Sequence, residues 1–272
     1  MAERVGDAGD PLVRVLIIGE GKSGTTALMR SVSDCLNNPE ELFEPRLLEA
    51  EALTAESLVV KKLLLNWRRK ETKFLPLFDK RLLITRDPRD RLISHLLYDA
   101  YNQAPKLSQE RRDRWLKALG TKVNAPHSLS VSDLLNLWWR ISRVDLLSNY
   151  VRALDRGVAF QNRTADHFHT IRYETYVDGE FDELNAYLGL NIAAGVVRGS
   201  EARVSRSKSS GAWRDWFTQS DVSLFRPMTH RWLKVTGADT QDWAINTPDN
   251  IDAETSVDYV RGLFDRAPVP DS

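Results

Sequence analysis

The chain has 272 residues, with 38 basic and 38 acidic side chains, 42% hydrophobic residues and one cysteine, Cys35. That length suits one large α/β domain or two small ones, with room for a real hydrophobic core, and the balanced charge argues against a nucleic-acid coat or a polybasic membrane anchor. A single cysteine excludes an internal disulfide and a cysteine zinc cage, which fits a reducing compartment; Cys35 is expected as a small buried residue on the first helix.

Met1 to Asp10 is polar and lacks the apolar centre of a signal peptide, so residues 1–11 read as a flexible N-terminus. No apolar run approaches the ~20 residues of a membrane span. The expectation is a cytoplasmic protein without a membrane span. Val15-Leu16-Ile17-Ile18 then reads as a buried strand, followed by Gly19-Glu20-Gly21-Lys22-Ser23-Gly24-Thr25-Thr26. Leu28, Val32 and Leu36 next fall on one face of a helix. Strand, glycine loop and helix together aim backbone N–H groups at an anion. Gly19 and Gly24 have the separation of G-x-x-x-x-G-K-[ST], but Thr25 follows Gly24 and the lysine, Lys22, lies inside the loop. An ordinary strand-to-helix turn would also fit. Lys22 together with the hydroxyls of Ser23, Thr25 and Thr26 favours an anion.

Asn37-Asn38-Pro39 is a stop, and Pro45 forces Glu44 off a helix and onto an extended segment, where it could equally be a solvated loop carboxylate. Leu58 to Leu65 reads as a second strand with Lys61 and Lys62 near its end, and Arg81 to Thr85 as a third. After it comes Arg86-Asp87-Pro88-Arg89-Asp90, in which Asp87 is an N-cap, Pro88 a first helical residue and Asp90 the partner in a capping box. Arg86 is thereby held at the carboxyl edge of a strand beside a helix N-terminus, where α/β folds bind ligands. Ser94 lies about two turns along, on the same side of that helix. A well-capped helix with surface arginines would account for the same residues.

Residues 102–130 are polar and irregular around a short basic helix, the profile of a lid or acceptor-binding insertion. Ser132 or Asp133 starts a helix running through Trp138 to Leu154, with its aromatics in the core. Phe168 to Glu174 reads as a fourth strand with Tyr173 and Glu174 at its exit, and a helix from Phe181 to Leu188 closes at Gly189. Arg203 to Phe217 is basic until Asp215 and rich in serine, so it reads either as an anion-binding loop docked by its aromatic end or as a basic linker. Residues 219–235 form a helix, the acidic tail adds a last one, and residues 267–272 fray.

Together these stretches resemble one family, the sulfotransferases that use 3′-phosphoadenosine 5′-phosphosulfate (PAPS). Lys22-Ser23-Gly24-Thr25-Thr26 matches the family's 5′-phosphosulfate loop, and Arg86-Asp87-Pro88-Arg89-Asp90 through Ser94 its 3′-phosphate motif. Tyr173-Glu174 is similar to the Tyr-Glu pair whose tyrosine reaches the adenine. Arg206 through Gly211, with Trp213, Arg214 and Phe217, looks like the loop that closes over the cofactor. The resemblance implies one sulfotransferase domain over the whole chain, with a three-layer P-loop-like α/β fold: a central, mainly parallel sheet flanked by helices. It also implies PAPS as co-substrate, PAP as product and no metal. Gly21 to Thr26 would hold the 5′-phosphate end, with Lys22 on the departing bridging oxygen. Arg86, Ser94 and Arg206 would clamp the 3′-phosphate, with Ser207, Lys208 and Gly211 in the closing loop, and Ser94 would restrain Lys22 until an acceptor arrives.

Three departures shape the acceptor reading. The closing loop has Arg206-Ser207-Lys208 where Arg-Lys-Gly is usual, Ala27 replaces a loop aromatic, and no histidine follows Lys61. Phe43-Glu44-Pro45 and Arg86-Asp87-Pro88-Arg89 are instead similar to the carbohydrate and tyrosyl-protein branches. The expected acceptor is therefore a hydroxyl, or an amine, of a carbohydrate or other small-molecule alcohol, and not a nucleic acid. Glu44 ranks first as catalytic base, His127 second and His95 third. Two rivals stand beside this reading. A P-loop kinase of a small alcohol would need a lysine where Thr25 stands; a non-catalytic nucleotide-binding protein would need neither Lys22 nor an acceptor.

Overall fold

Val15, Leu16, Ile17 and Ile18 alternate between the two faces of a strand, and all four are fully buried, so both faces must be covered. Strand β1 (Arg14–Gly19) is the middle of a five-stranded sheet with β2 (Glu40–Phe43), β3 (Leu58–Leu63), β4 (Lys80–Thr85) and β5 (His169–Arg172), in the order β2-β3-β1-β4-β5. All four pairings are parallel, and Gly19 at the end of β1 pairs with Ile84 of β4. The computed structural model describes residues 13–193 and 210–266. The flexible N-terminus, the fraying tail and the closing-loop residues Arg206, Ser207 and Lys208 of the sequence reading lie outside the described residues.

The chain divides into two compact units, Met1–Arg86 with Arg156–Ala202, and Asp87–Asp155 with Arg203–Ser272. The first holds the sheet. On one face Val15 and Ile17 meet Leu28, Met29 and Val32 of α1 (Thr25–Ser33), and also helices α6 (Tyr173–Val177) and α7 (Asp182–Leu188). On the other, Leu16 and Ile18 meet Leu75 and Phe78, at the end of a 3-10 stretch over Arg69–Leu77, and Phe160 of α5 (Leu146–Thr164). The fold is α/β, with a parallel central sheet covered by helices on both faces.

Several elements differ from their sequence expectation. Strand β2 carries two adjacent glutamates over four half-exposed or exposed residues, so it lacks the apolar run that marks the inner strands. Glu44 just after it is not extended but left-handed, with φ 50°; Pro45 disfavours only the right-handed helical region. Cys35 is not buried on the first helix: α1 ends at Ser33, and Cys35 is half-buried beyond it. Tyr173 and Glu174 open α6 rather than finish β5.

The second unit is helical. In α2 (Pro88–Gln103) the Asp87 carboxylate accepts from the Arg89 N–H at 2.8 Å, so Asp87 is the N-cap, whereas the carboxylate of Asp90, expected to close a capping box, accepts from the Gly211 and Trp213 N–H groups. The stretch expected to be an irregular insertion is mostly ordered helix: α3 (Gln109–Asn124) has 16 residues and buries Trp115, Leu119, Lys122 and Val123. Its many charges hid a narrow apolar stripe. The next helix starts one residue earlier than expected, capped by Ser130, and is two helices: α4 (Val131–Ser142) ends where Arg143 turns left-handed at φ 63°, before α5. Trp138 is buried as expected, whereas Trp139 is 49% exposed. Helices α8 (Trp213–Trp216), α9 (Gln219–Val235) and α10 (Val257–Arg266) complete the unit. No helix of the described residues is long and apolar enough to cross a membrane.

Candidate functional site

Connections leave β1 towards β2 and leave β4 towards β5, so the carboxyl ends of β1 and β4 flank a point where the winding reverses. Open α/β sheets bind ligands at such points. The glycine loop occupies it. Gly19 leaves no room for a side chain, since a Cβ there would sit 2.6 Å from Ser23 Oγ and 2.8 Å from the Ile84 carbonyl. Lys22 is left-handed at φ 69°, an uncommon conformation for a residue with a Cβ. Glu20 braces the loop from below: its carbonyl accepts from the N–H and Oγ of Ser23, and its buried carboxylate pairs with Arg156 at 3.1 Å.

Gly24 is also left-handed, φ 91°, and caps α1 without a side-chain hydrogen bond. A Cβ here would lie 2.5 Å from the Tyr173 ring, so both conformation and space demand glycine. Arg86, 7% exposed, follows β4 and donates from Nη1 to the Lys22 carbonyl at 3.0 Å. Its guanidinium lies 4.1 Å from the centroid of the Tyr173 ring. The loop, the Arg86 motif and the Tyr-Glu pair are therefore in direct contact within the first unit.

Thr25 and Thr26 are buried in the first turn of α1, and Thr26 Oγ1 accepts from Lys61 Nζ at 2.8 Å. Lys61 Nζ also donates to the Glu44 carboxylate and lies 3.8 Å from the centroid of the Phe43 ring. The Glu44 N–H in turn donates to the Lys61 carbonyl at 2.8 Å. The structure thus brings Glu44, the first-ranked base, to the start of α1 through Lys61, a residue to which the sequence reading gave no role. Its signal was present: two adjacent lysines in the apolar strand Leu58-Val59-Val60-Lys61-Lys62 must find partners when buried. Lys62, fully buried, meets the Glu71 carboxylate at 3.0 Å and the carbonyls of Pro45 and Arg46.

In the second unit Ser94 is buried on α2, and His95 is half-buried beside it. His127 is exposed on the 3-10 turn Pro126–Ser128. Gly211, at φ 78°, donates its N–H to the Asp90 carboxylate at 2.6 Å, and the Trp213 N–H donates to the same carboxylate at 2.9 Å. Asp90 thus fastens Gly211 and Trp213 to the first turn of α2. Arg89 lies between the rings of Trp213 and Trp243, 4.0 and 4.8 Å from their centroids, and donates to both Asp87 and the Asp242 carbonyl. Hydrogen bonds from Arg214 hold the Asp242 carboxyl below the usual carboxylate range.

No family model and no curated protein matches this sequence. Among solved structures the fold is similar to a mouse sulfotransferase, SULT7A1, complexed with PAP. The TM-score is 0.49 at 14% identity, over 81% of this chain and 84% of that one. A retinol dehydratase in complex with androsterone and inactive cofactor PAP gives a TM-score of 0.46 at 14% identity, over 86% and 90% of the two chains.

Proposed function

We propose that this protein is a PAPS-dependent sulfotransferase acting on a hydroxyl or amine of a carbohydrate or other small-molecule alcohol. The observation that carries the reading is the convergence of three separate sequence motifs at the carboxyl ends of β1, β4 and β5. Arg86 reaches Lys22 and lies on Tyr173, and Tyr173 packs on Gly24. The donor set suits a sulfated and phosphorylated nucleotide: one lysine in the loop, the hydroxyls of Thr25 and Thr26, and a helix N-terminus whose cap, Gly24, makes no side-chain hydrogen bond. The nearby carboxylates do not oppose an anion, because Arg156 neutralises Glu20 and Lys61 neutralises Glu44.

PAPS supplies an activated sulfuryl group, and the protein's task is positioning and charge stabilisation. Thr25, Thr26 and the first N–H groups of α1 hold the 5′-phosphate, and Arg86 answers the 3′-phosphate. Lys22 places its ammonium where the bridging oxygen gathers charge as its bond to sulfur breaks. Glu44 accepts the proton of the acceptor hydroxyl as that oxygen bonds to sulfur. The proton therefore ends on the glutamate, and the electron pair of the broken S–O bond stays with PAP.

The test is turnover of labelled PAPS with a panel of sugars and simple alcohols. Lys22→Met should lower turnover about 100- to 1,000-fold, as removing other preorganised oxyanion donors does. PAP affinity should stay within a few-fold, because the lost charge acts mainly in the transition state. Metal-dependent turnover with ATP as donor, and none with PAPS, would replace this reading with phosphoryl transfer.

A further inference from the structure

The first unit contains a cavity of ≈ 360 Å³ that none of the residues proposed to bind PAPS lines. It lies between the segment after β3 and the last turns of α5. Leu64, Trp67 and Phe160 give it an apolar surface, and Arg69, Arg156, Arg163 and His167 border it. The side chains from α5 follow from helical spacing: Arg156, Phe160 and Arg163 recur at i, i+4 and i+7, one stripe of the helix. Trp67 and Phe160 pack edge to face, with centroids 5.9 Å apart and planes at 88°. Leu64 and Phe160 are each only 2% exposed, whereas Arg69 and Arg163 are exposed.

The charge around this cavity is unbalanced. Arg156 spends its guanidinium on Glu20. No carboxylate of the described residues forms an ion pair with Arg69 or Arg163. Two guanidinium groups without an ion pair among the described residues, Arg69 and Arg163, therefore border an aromatic surface. The volume is at the lower end of the ~300–1,000 Å³ typical of small-molecule sites. An anion without a ring would leave the aromatic surface unfilled, and a neutral ring would leave the arginines unanswered.

We propose that this cavity binds a small aromatic anion, a planar ring system bearing one carboxylate or sulfonate group. The ring packs on Trp67 and Phe160, and the anionic group takes charge-assisted hydrogen bonds from Arg69 and Arg163. None of the residues proposed to hold PAPS lines the cavity, and Arg156 touches both regions through its ion pair with Glu20.

Isothermal titration of the full chain with 2-naphthalenesulfonate tests it, with 2-naphthalenemethanol as the neutral counterpart. The sulfonate should bind saturably at one site per chain. Arg163→Ala and Arg69→Ala should each weaken it about tenfold or more, the size of a lost charge-assisted hydrogen bond. Both side chains are exposed, so the variants should melt as the parent does. Lys22→Met should bind the sulfonate like the parent. The proposal is overturned if the sulfonate does not saturate, if both arginine variants bind as the parent does, or if the neutral alcohol binds equally well.

Discussion

At the scale of single residues, the site depends on side chains whose partners lie far away in sequence. Glu44 holds a left-handed backbone, φ 50°, which a non-glycine residue adopts only when its surroundings over-determine it. Here one lysine does so: the Lys61 carbonyl takes the Glu44 N–H, and the Lys61 ammonium takes the carboxylate. Because the same ammonium donates to Thr26, the carboxylate is oriented beside the first turn of α1 rather than dispersed in solvent. Glu44→Gln keeps the shape and removes the basicity, so turnover should fall about 100-fold or more. PAP affinity should not change. His127 is exposed on a turn of the second unit, and His127→Ala should retain near-parental turnover. Near-normal turnover by Glu44→Gln alongside an inactive His127→Ala would transfer the role of base to the histidine. The residues proposed to carry the chemistry were named from the sequence, but the contacts of Lys61 with both Glu44 and Thr26 were not legible there. A strand pattern states that a lysine is buried, not which of several distant acceptors it meets.

At the scale of elements, the second unit is pinned by charges placed at helix starts. Asp221 caps its own helix, α9, by accepting from the Thr218 N–H, and also accepts from the Val131 and Ser132 N–H groups at the start of α4. Lys122 of α3 is fully buried and donates to the carbonyls of Pro126 and Leu129, with Asp221 and Asp133 as the nearby negative charges. Burial outweighs those two carboxylates and pulls the lysine pKa down from 10.5 to about 8. A depressed lysine pKa means that the unfolded chain keeps a proton which the folded protein has lost between pH 8 and pH 10.5. This residue's contribution to stability therefore rises with pH across that window, and its penalty is full below it. Relative to Lys122→Met, the parent should gain on the order of 2 kcal/mol of unfolding free energy between about pH 7 and about pH 9.5. Denaturant unfolding of both proteins at the two pH values reads the difference, and parallel pH profiles would refute the assignment. The buried Tyr150, whose pKa burial raises, is present in both proteins, so its own pH dependence cancels in the comparison. Legibility followed burial: the helix expected over 219–235 coincides with α9, and the apolar run Val15 to Ile18 lies inside β1, which extends one residue further at each end. Strand β2 and helix α3 were obscured by surface charge, which masks a half-buried element's period.

At the scale of the whole molecule, a nucleotide that binds only the folded state must raise its stability by mass action. PAP at 100 times its dissociation constant should therefore add about 2.7 kcal/mol, or roughly 5–10 °C in melting temperature for a chain of this size. The distribution of that gain tests the assignment of the phosphates. Arg86 sits at the end of β4 with one N–H on the Lys22 carbonyl, so it both braces the loop and offers charge at the sheet's reversal point. Arg86→Ala should shrink the shift at fixed PAP concentration, through a loss of about tenfold or more in affinity. Arg206→Ala should do the same through the closing loop if that loop answers the 3′-phosphate, as the sequence resemblance implies. Adenosine 5′-phosphosulfate lacks the 3′-phosphate and should give a smaller shift than PAP at equal concentration. It should also be less sensitive to both substitutions, because neither arginine then has its anion. Equal shifts from the two nucleotides, undiminished in both variants, would remove the 3′-phosphate from this site and with it the distinction between PAPS and simpler adenine nucleotides.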